Sequence, residues 1–294
     1  MPSRFFAILT VAVALFVNTG ESLAQRLQTV FDTPESAMRD FGEAIVTKNL
    51  DAVRLILGDD YNEIIPPVSN ADYQRFIDAW NAGHGIVFDD AETAHIFVGT
   101  KGWTLPIPLS KIRTGWIFDM DDAREEIRVR TIGANELATI KVMLAYTDAQ
   151  QEYAAQDRNG DGVREFAQKI ISSPGKQDGL YWPTADGEPE SPAGPLLDTT
   201  NLKDGYHGYR FRILKAQGAA APGGAKSYVR DGRLSEGFAA VAWPAHPGES
   251  GLMTFIVNQD GSVYQKYLGP NTADIAQAMT RFDPDASWTA LPAP

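Results

Sequence analysis

No cysteine occurs among the 294 residues, so neither a disulfide nor a thiolate metal site is available to this chain. Histidine is scarce: His84, His95, His207 and His246 stand alone, and none has the HExxH spacing of a zinc site. Positive charge is in deficit as well, with 26 Lys and Arg against 38 Asp and Glu and a formal net charge of −12. That balance argues against a phosphate-backbone partner and excludes nucleic acid from the expected ligands, whereas a cation or a basic surface suits it. Beyond the first residues no apolar run reaches the ~20 residues needed to cross a bilayer. No repeat at solenoid spacing is present either.

The chain opens with a leader. Arg4 precedes the apolar stretch Phe5–Val17 (FFAILTVAVALFV), and Ser22-Leu23-Ala24 places small residues before a cleavage point. Residues 1–24 therefore read as a secretory signal peptide, leaving a mature chain from Gln25 with no transmembrane segment. The expected location is periplasmic or secreted. In an oxidising compartment without disulfides, the fold must rest on its hydrophobic core.

Periodicity divides the remainder. Thr33-Pro34-Glu35 begins a helix with a hydroxyl cap, a proline and an acid. A further helix is expected over Asp72–Trp80, then strands over Ala94–Val98, Trp103–Leu109 and Gly115–Phe118, with Pro106 and Pro108 confining the middle one to an edge. A long helix is expected from about Asn135 to Gln156, with Leu137, Ile140, Met143, Leu144, Thr147 and Tyr153 on its buried stripe. A short helix near Arg164–Ile171 and a long irregular segment over 172–204 follow. Strands are then expected at Tyr209–Leu214, Ser227–Val229, Gly237–Trp243, Met253–Asn258 and Ser262–Tyr267, and a closing helix from Thr272 to Met279. The fold class is α+β: a small N-terminal α+β unit over 28–130, then a long helix packed on an antiparallel sheet over 131–290.

Several stretches are more specific than this patterning. VFDTPESAM (30–38), GWTLPIPLSKIRTGWIFD (102–119), RTIGANELATIKVMLAYTDAQQEYA (130–154), SSPGKQDGLYWP (172–183) and WPAHPGESGLMTFIVNQDGSVYQKYLGPNT (243–272) resemble the DUF2950 family of exported bacterial proteins. The family brings no catalytic residues. Asn135, Glu136, Gln150 and Tyr153, followed by Gly208-Tyr209, Pro244, Gly251, Phe255, Gly261 and Tyr264, also resemble pilin-like head domains, implying a helix laid on an antiparallel sheet. No prepilin cleavage site or apolar assembly helix precedes them. The N-terminal unit resembles NTF2-like domains.

One stretch invites metal chemistry. Asp157-Arg-Asn-Gly-Asp-Gly-Val-Arg-Glu165 puts oxygen-bearing side chains at positions 1, 3, 5 and 9, with glycine at 6. Asp157, Asn159 and Asp161, the Val163 carbonyl and Glu165 would supply a calcium ion with oxygens. Position 12 is Gln168 rather than a bidentate glutamate, so the EF-hand pattern is incomplete. The other reading is a polar turn whose side chains cap backbone groups. In either case the expected role is to brace the helix end.

Two functions follow as expectations. The first is a non-catalytic envelope or secreted protein binding a protein or polymer partner through Lys176, Asp178, Tyr181 and Trp182, with calcium bracing one loop. The second is an exported hydrolase of cell-wall or extracellular polymer using Asp178, Glu188 and Glu190 as acid and base. Ser250 in Gly248-Glu-Ser-Gly251 lacks the spacing and context of a nucleophile elbow. His95 reads as a satisfied strand residue, and Asp119 to Asp122 with Glu125 and Glu126 as a solvated helix start.

Overall fold

Thr33 begins the first helix through a reciprocal cap: its hydroxyl accepts from the Ser36 amide, and the Ser36 hydroxyl accepts from the Thr33 amide. This structure is a computed structural model that describes residues 28–65, 67–185, 187, 190–194 and 205–292. The leader and Glu188 lie outside the described residues. The chain forms two compact units, one ending at Glu126 and one beginning at Ile127.

In the first unit, α1 (Pro34–Val46), α2 (Leu50–Leu57), α3 (Tyr61–Ile64) and α4 (Asn70–Ala82) precede an antiparallel sheet. Its strands are β1 (His84–Phe88), β2 (Thr93–Val98), β3 (Trp103–Thr104), β4 (Leu109–Ile112) and β5 (Gly115–Phe118). They pair in the order β1-β2-β4-β5, with β3 also on β2. The single strand expected over 103–109 is two, because Pro106 and Pro108 lack the amides a continuous ladder needs. Phe41, Trp80, Ile96 and Phe118 fill the core. Gly42 is required there by close approach, since a Cβ would stand 2.3 Å from the Trp80 ring.

α5 runs from Met120 to Ala154, starting well before the expected Asn135. Asp119 accepts from the Asp122 amide to start it, and Gly133, just before the expected start, lies within it. A single interior glycine costs a helix only about 1 kcal/mol, too little to stop one this long. The buried stripe also differs from expectation. Of the expected positions Met143, Thr147 and Tyr153 are buried, but Leu137 is 64% exposed, and the stripe Thr139, Met143, Tyr146, Gln150 and Tyr153 adds three residues that were not expected, at three- and four-residue steps.

In the second unit β6 (Tyr209–Leu214), β7 (Ala216–Gln217), β8 (Lys226–Ser227), β9 (Val229–Arg230), β10 (Arg233–Leu234), β11 (Ala239–Pro244), β12 (Thr254–Asn258) and β13 (Val263–Lys266) precede α6 (Thr272–Ala278) and β14 (Thr289–Ala290). The main sheet is antiparallel in the order β14-β13-β12-β11-β6. Met143, Tyr146, Ala149 and Tyr153 of α5 share one core with Phe238, Ala240, Phe255 and Val257. The α+β class and the helix-on-sheet arrangement expected for the second half are therefore present. On the other face the Arg212 guanidinium reaches the carbonyls of Ala276, Gln277 and Met279 at the end of α6.

The helix expected near Arg164–Ile171 is absent. Phe166 bridges Leu234, Ile171 bridges Tyr181, and Ala167 is held by Gln150, so tertiary partners take the backbone groups a helix would use. Ala219-Ala-Ala-Pro-Gly-Gly-Ala225 forms the tip of the β7–β8 hairpin, where the Gln217 amide donates to the carbonyls of Pro222 and Gly224.

Candidate functional site

Within the second unit α5 is fastened to its neighbours by half-buried and buried polar side chains as well as by its apolar stripe. Asn135 donates to the Ser250 carbonyl at 2.9 Å, and the Glu136 carboxylate accepts from the Leu252 and Met253 amides at 2.9 and 3.0 Å. Gln150, fully buried, binds Ala167 as a strand would: its side-chain carbonyl accepts from the Ala167 amide at 2.8 Å, and its amide donates to the Ala167 carbonyl at 3.0 Å. That same amide donates to the Tyr146 hydroxyl, which donates to the Ala239 carbonyl. Tyr209 donates to the Met253 carbonyl, and its ring leaves no room for a Cβ on Gly251, which would fall 2.1 Å from the hydroxyl. Ser250 donates to the Gly208 carbonyl at 2.7 Å and accepts from the His246 amide, so its hydroxyl serves a turn.

The acidic loop that follows α5 is organised by its own backbone. The Asp157 carboxylate accepts from the Gly160 and Gly162 amides at 2.8 and 2.7 Å. These bonds, that from Gly162 above all, hold it below the ordinary carboxylate range. Asn159 accepts from the Asp161 amide and donates to Glu165; Asp161 accepts from the Val163 amide and pairs with Arg233. Burial pushes the Glu165 carboxyl up. The donor set is oxygen only, which fits a hard cation, and an ion taking Asp161 would have to displace Arg233. No cluster of three or more His, Asp or Glu side chains poised around a metal occurs among the described residues.

The segment expected to dock a partner is more tightly built than its composition suggests. Trp182 is buried, with the Arg158 guanidinium over its ring, and Tyr181 bridges Ile171. Asp178 bonds Lys169 at 2.7 Å and accepts from both the amide and the hydroxyl of Ser173. Lys169, then the Ser173 amide, hold this carboxyl far below its ordinary value of 3.8, which unsuits it as a proton donor. Lys176 is exposed, as is Glu190. Of the aromatic residues expected to meet a partner, Trp182 lies in the core with Tyr153 and Tyr181 is half-buried against it.

A carboxylate with a depressed native pKa stabilises the fold above its unfolded value and loses that contribution as pH falls through the native one. The thermal midpoint is accordingly expected to drop between about pH 5 and pH 2, and to drop less in Asp178→Asn. Superimposable pH curves would show that the Lys169–Asp178 pair contributes nothing.

Sequence reasoning did not find a concavity in the second unit that the structure shows. A cavity of about 640 Å³ lies between α5, the 168–171 segment and β6. Met143, Tyr146, Leu180, Phe211 and Ile213 give it apolar walls, and Lys169, Arg210 and Lys215 stand around it. No carboxylate lines it among the described residues. Its only trace in the sequence is the alternation of aromatic or aliphatic and basic residues in Tyr209–Lys215.

The described protein of unknown function DUF2950 matches residues 28–291. The chain belongs to the DUF2950 family. No curated protein and no solved structure matches it. In this DUF2950 chain His95 is satisfied between two acids, its ring nitrogens 2.7 Å from Asp89 and 3.0 Å from Glu126. No helix among the described residues is long and apolar enough to cross a membrane.

Proposed function

We propose that this DUF2950 chain is an exported, non-catalytic binding protein, periplasmic or secreted, whose partner is a protein or polymer of the cell envelope. The observation that carries this reading is the apolar cavity of about 640 Å³ beside β6, a size and lining suited to an apolar portion of a ligand. The leader sequence supports export. The test is capture from an envelope extract on the immobilised chain, beside Phe211→Asp, which places a carboxylate in the cavity wall. The wild type is expected to retain a partner that the variant loses. Identical captured sets would remove the cavity from the function.

The acidic loop is proposed to hold a structural calcium through Asp157, Asn159, Asp161, the Val163 carbonyl and Glu165. The spacing of its oxygens and the organised, charged state of Asp157 support this. An ion bound at a hundred times its dissociation constant stabilises the native state by about 2.7 kcal/mol. The melting midpoint is therefore expected to rise by several degrees on going from chelator to millimolar calcium, and not to move in Asp157→Ala/Asp161→Ala. Equal wild-type midpoints in calcium and in chelator would leave the loop as a capped turn.

A further inference from the structure

β6 is the edge of the main sheet, and its hydrogen-bonding groups alternate between β11 and the open side. The Tyr209 amide and carbonyl both bond Tyr206, and Tyr209 stands opposite Pro244, which has no amide to offer. Odd-numbered residues of β6 therefore face outward. At the far end the Lys215 carbonyl accepts from the Tyr228 amide at 2.9 Å, on the same side. Between these two closures the amides and carbonyls of Phe211 and Ile213 have no partner among the described residues. Four backbone groups without a partner among the described residues thus border an apolar cavity and form a template onto which a further strand can pair.

We infer that this edge receives an extended peptide of a partner protein, added as a strand antiparallel or parallel to β6. The inference rests on the binding reading above and specifies its mode. The length is set by the two closures. Tyr209 to Lys215 spans about 20 Å at 3.3 Å per residue, room for a docked segment of about five residues. Its backbone would exchange up to four hydrogen bonds with Phe211 and Ile213, and alternate side chains would enter the cavity against Met143, Tyr146 and Leu180. Charge sets the flanks. Lys169 is occupied by Asp178 and Lys215 by the Gln168 side chain, but Arg210 is exposed and has no acidic partner among the described residues. In a chain of net charge −12, this local excess of cations favours a segment with apolar residues at alternate positions and acids at its ends.

The probe is a fluorescein-labelled peptide, Glu-Val-Thr-Val-Thr-Val-Glu, titrated with the full mature chain and followed by anisotropy. Saturable binding is expected. Ile213→Pro removes one outward amide and leaves the β11 ladder intact, so it should weaken binding by about tenfold at an unchanged circular dichroism spectrum. Arg210→Glu should weaken it further as salt is lowered, where the wild type tightens. Should Ile213→Pro fail to fold, the same question is put to the wild type with a peptide N-methylated at the amides on one edge, then the other. One of the two methylated probes must lose binding. No binding of the parent peptide at millimolar concentration, or equal binding of both methylated probes, overturns the inference. Concentration-dependent self-association that Ile213→Pro abolishes, without peptide binding, overturns it in favour of a second copy of the chain. If the peptide fails but Phe211→Asp still loses the captured envelope partner, strand addition falls while the binding reading stands.

Discussion

Phe238→Ala is expected to cost the second unit about 3–5 kcal/mol of unfolding free energy, the range for removing a fully buried aromatic ring. Phe238 has no exposed surface, and it lies edge-on to Tyr146 at 5.7 Å and to Phe166 at 4.7 Å between centroids. Its ring therefore joins α5 to the segment that follows the acidic loop. Alanine removes the transfer free energy of the ring and leaves a void that neither neighbour can fill without giving up its own hydrogen bond or bridge. Phe238→Leu restores much of the volume and should recover more than half of the loss. Urea unfolding followed through Trp182, Trp243 and Trp288 reads the second unit. A loss below about 1 kcal/mol for alanine would mean that the three-ring contact does not hold the segment.

Gln150→Leu is expected to cost about 2–4 kcal/mol even though leucine is apolar and similar in size. The Ala167 amide and carbonyl would be left buried and unpaired, and each such group costs about 1–3 kcal/mol. The neighbouring exposed Gln151→Leu should change stability by no more than about 0.5 kcal/mol, which makes the pair an internal control. Amide exchange adds a second readout, because protection at Ala167 should collapse in Gln150→Leu and persist in Gln151→Leu. Equal costs for the two variants would show that the side-chain clamp is dispensable.

The long helix was legible because apolar residues recur at helical steps over many turns. Its beginning was not, since Gly133 looks like punctuation and the capping Asp119 sits in an acidic run that composition alone reads as solvent-facing. Leu137 was assigned to the buried stripe for its chemistry, while buried polar positions of the stripe include Gln150, satisfied by Ala167 and Tyr146, and Thr139, whose hydroxyl is enclosed without a hydrogen bond. The acidic loop was legible as a tight, oxygen-rich turn. The absence of a helix over 164–171 was not, because the local pattern Phe166, Ala167, Ile170, Ile171 suits a helix, and only partners such as Gln150 and Leu234 overrule it. The cavity was hidden for a related reason. It lies beside β6, the last strand in the sheet order among the described residues, a position that no single stretch of residues encodes. Family membership over residues 28–291 agrees with the resemblance drawn from the quoted motifs. Asn135, Glu136, Gln150 and Tyr209, named for a different resemblance, that to pilin-like heads, make side-chain hydrogen bonds between helix, turn and sheet.

The Arg212 contacts make α6 dependent on the sheet. A helix of seven residues with no basic side chain in its last turn is too short to persist alone in water. The Gln277 carbonyl takes its donor from β6, a strand some sixty residues earlier in the chain, and the Ala276 carbonyl accepts both from that donor and from the Met279 amide. β6 in turn is held in place by β11. The dependence runs one way: loss of the β6–β11 pairing is expected to release the C-terminal helix as well, whereas loss of that helix leaves the β6–β11 ladder its own hydrogen bonds.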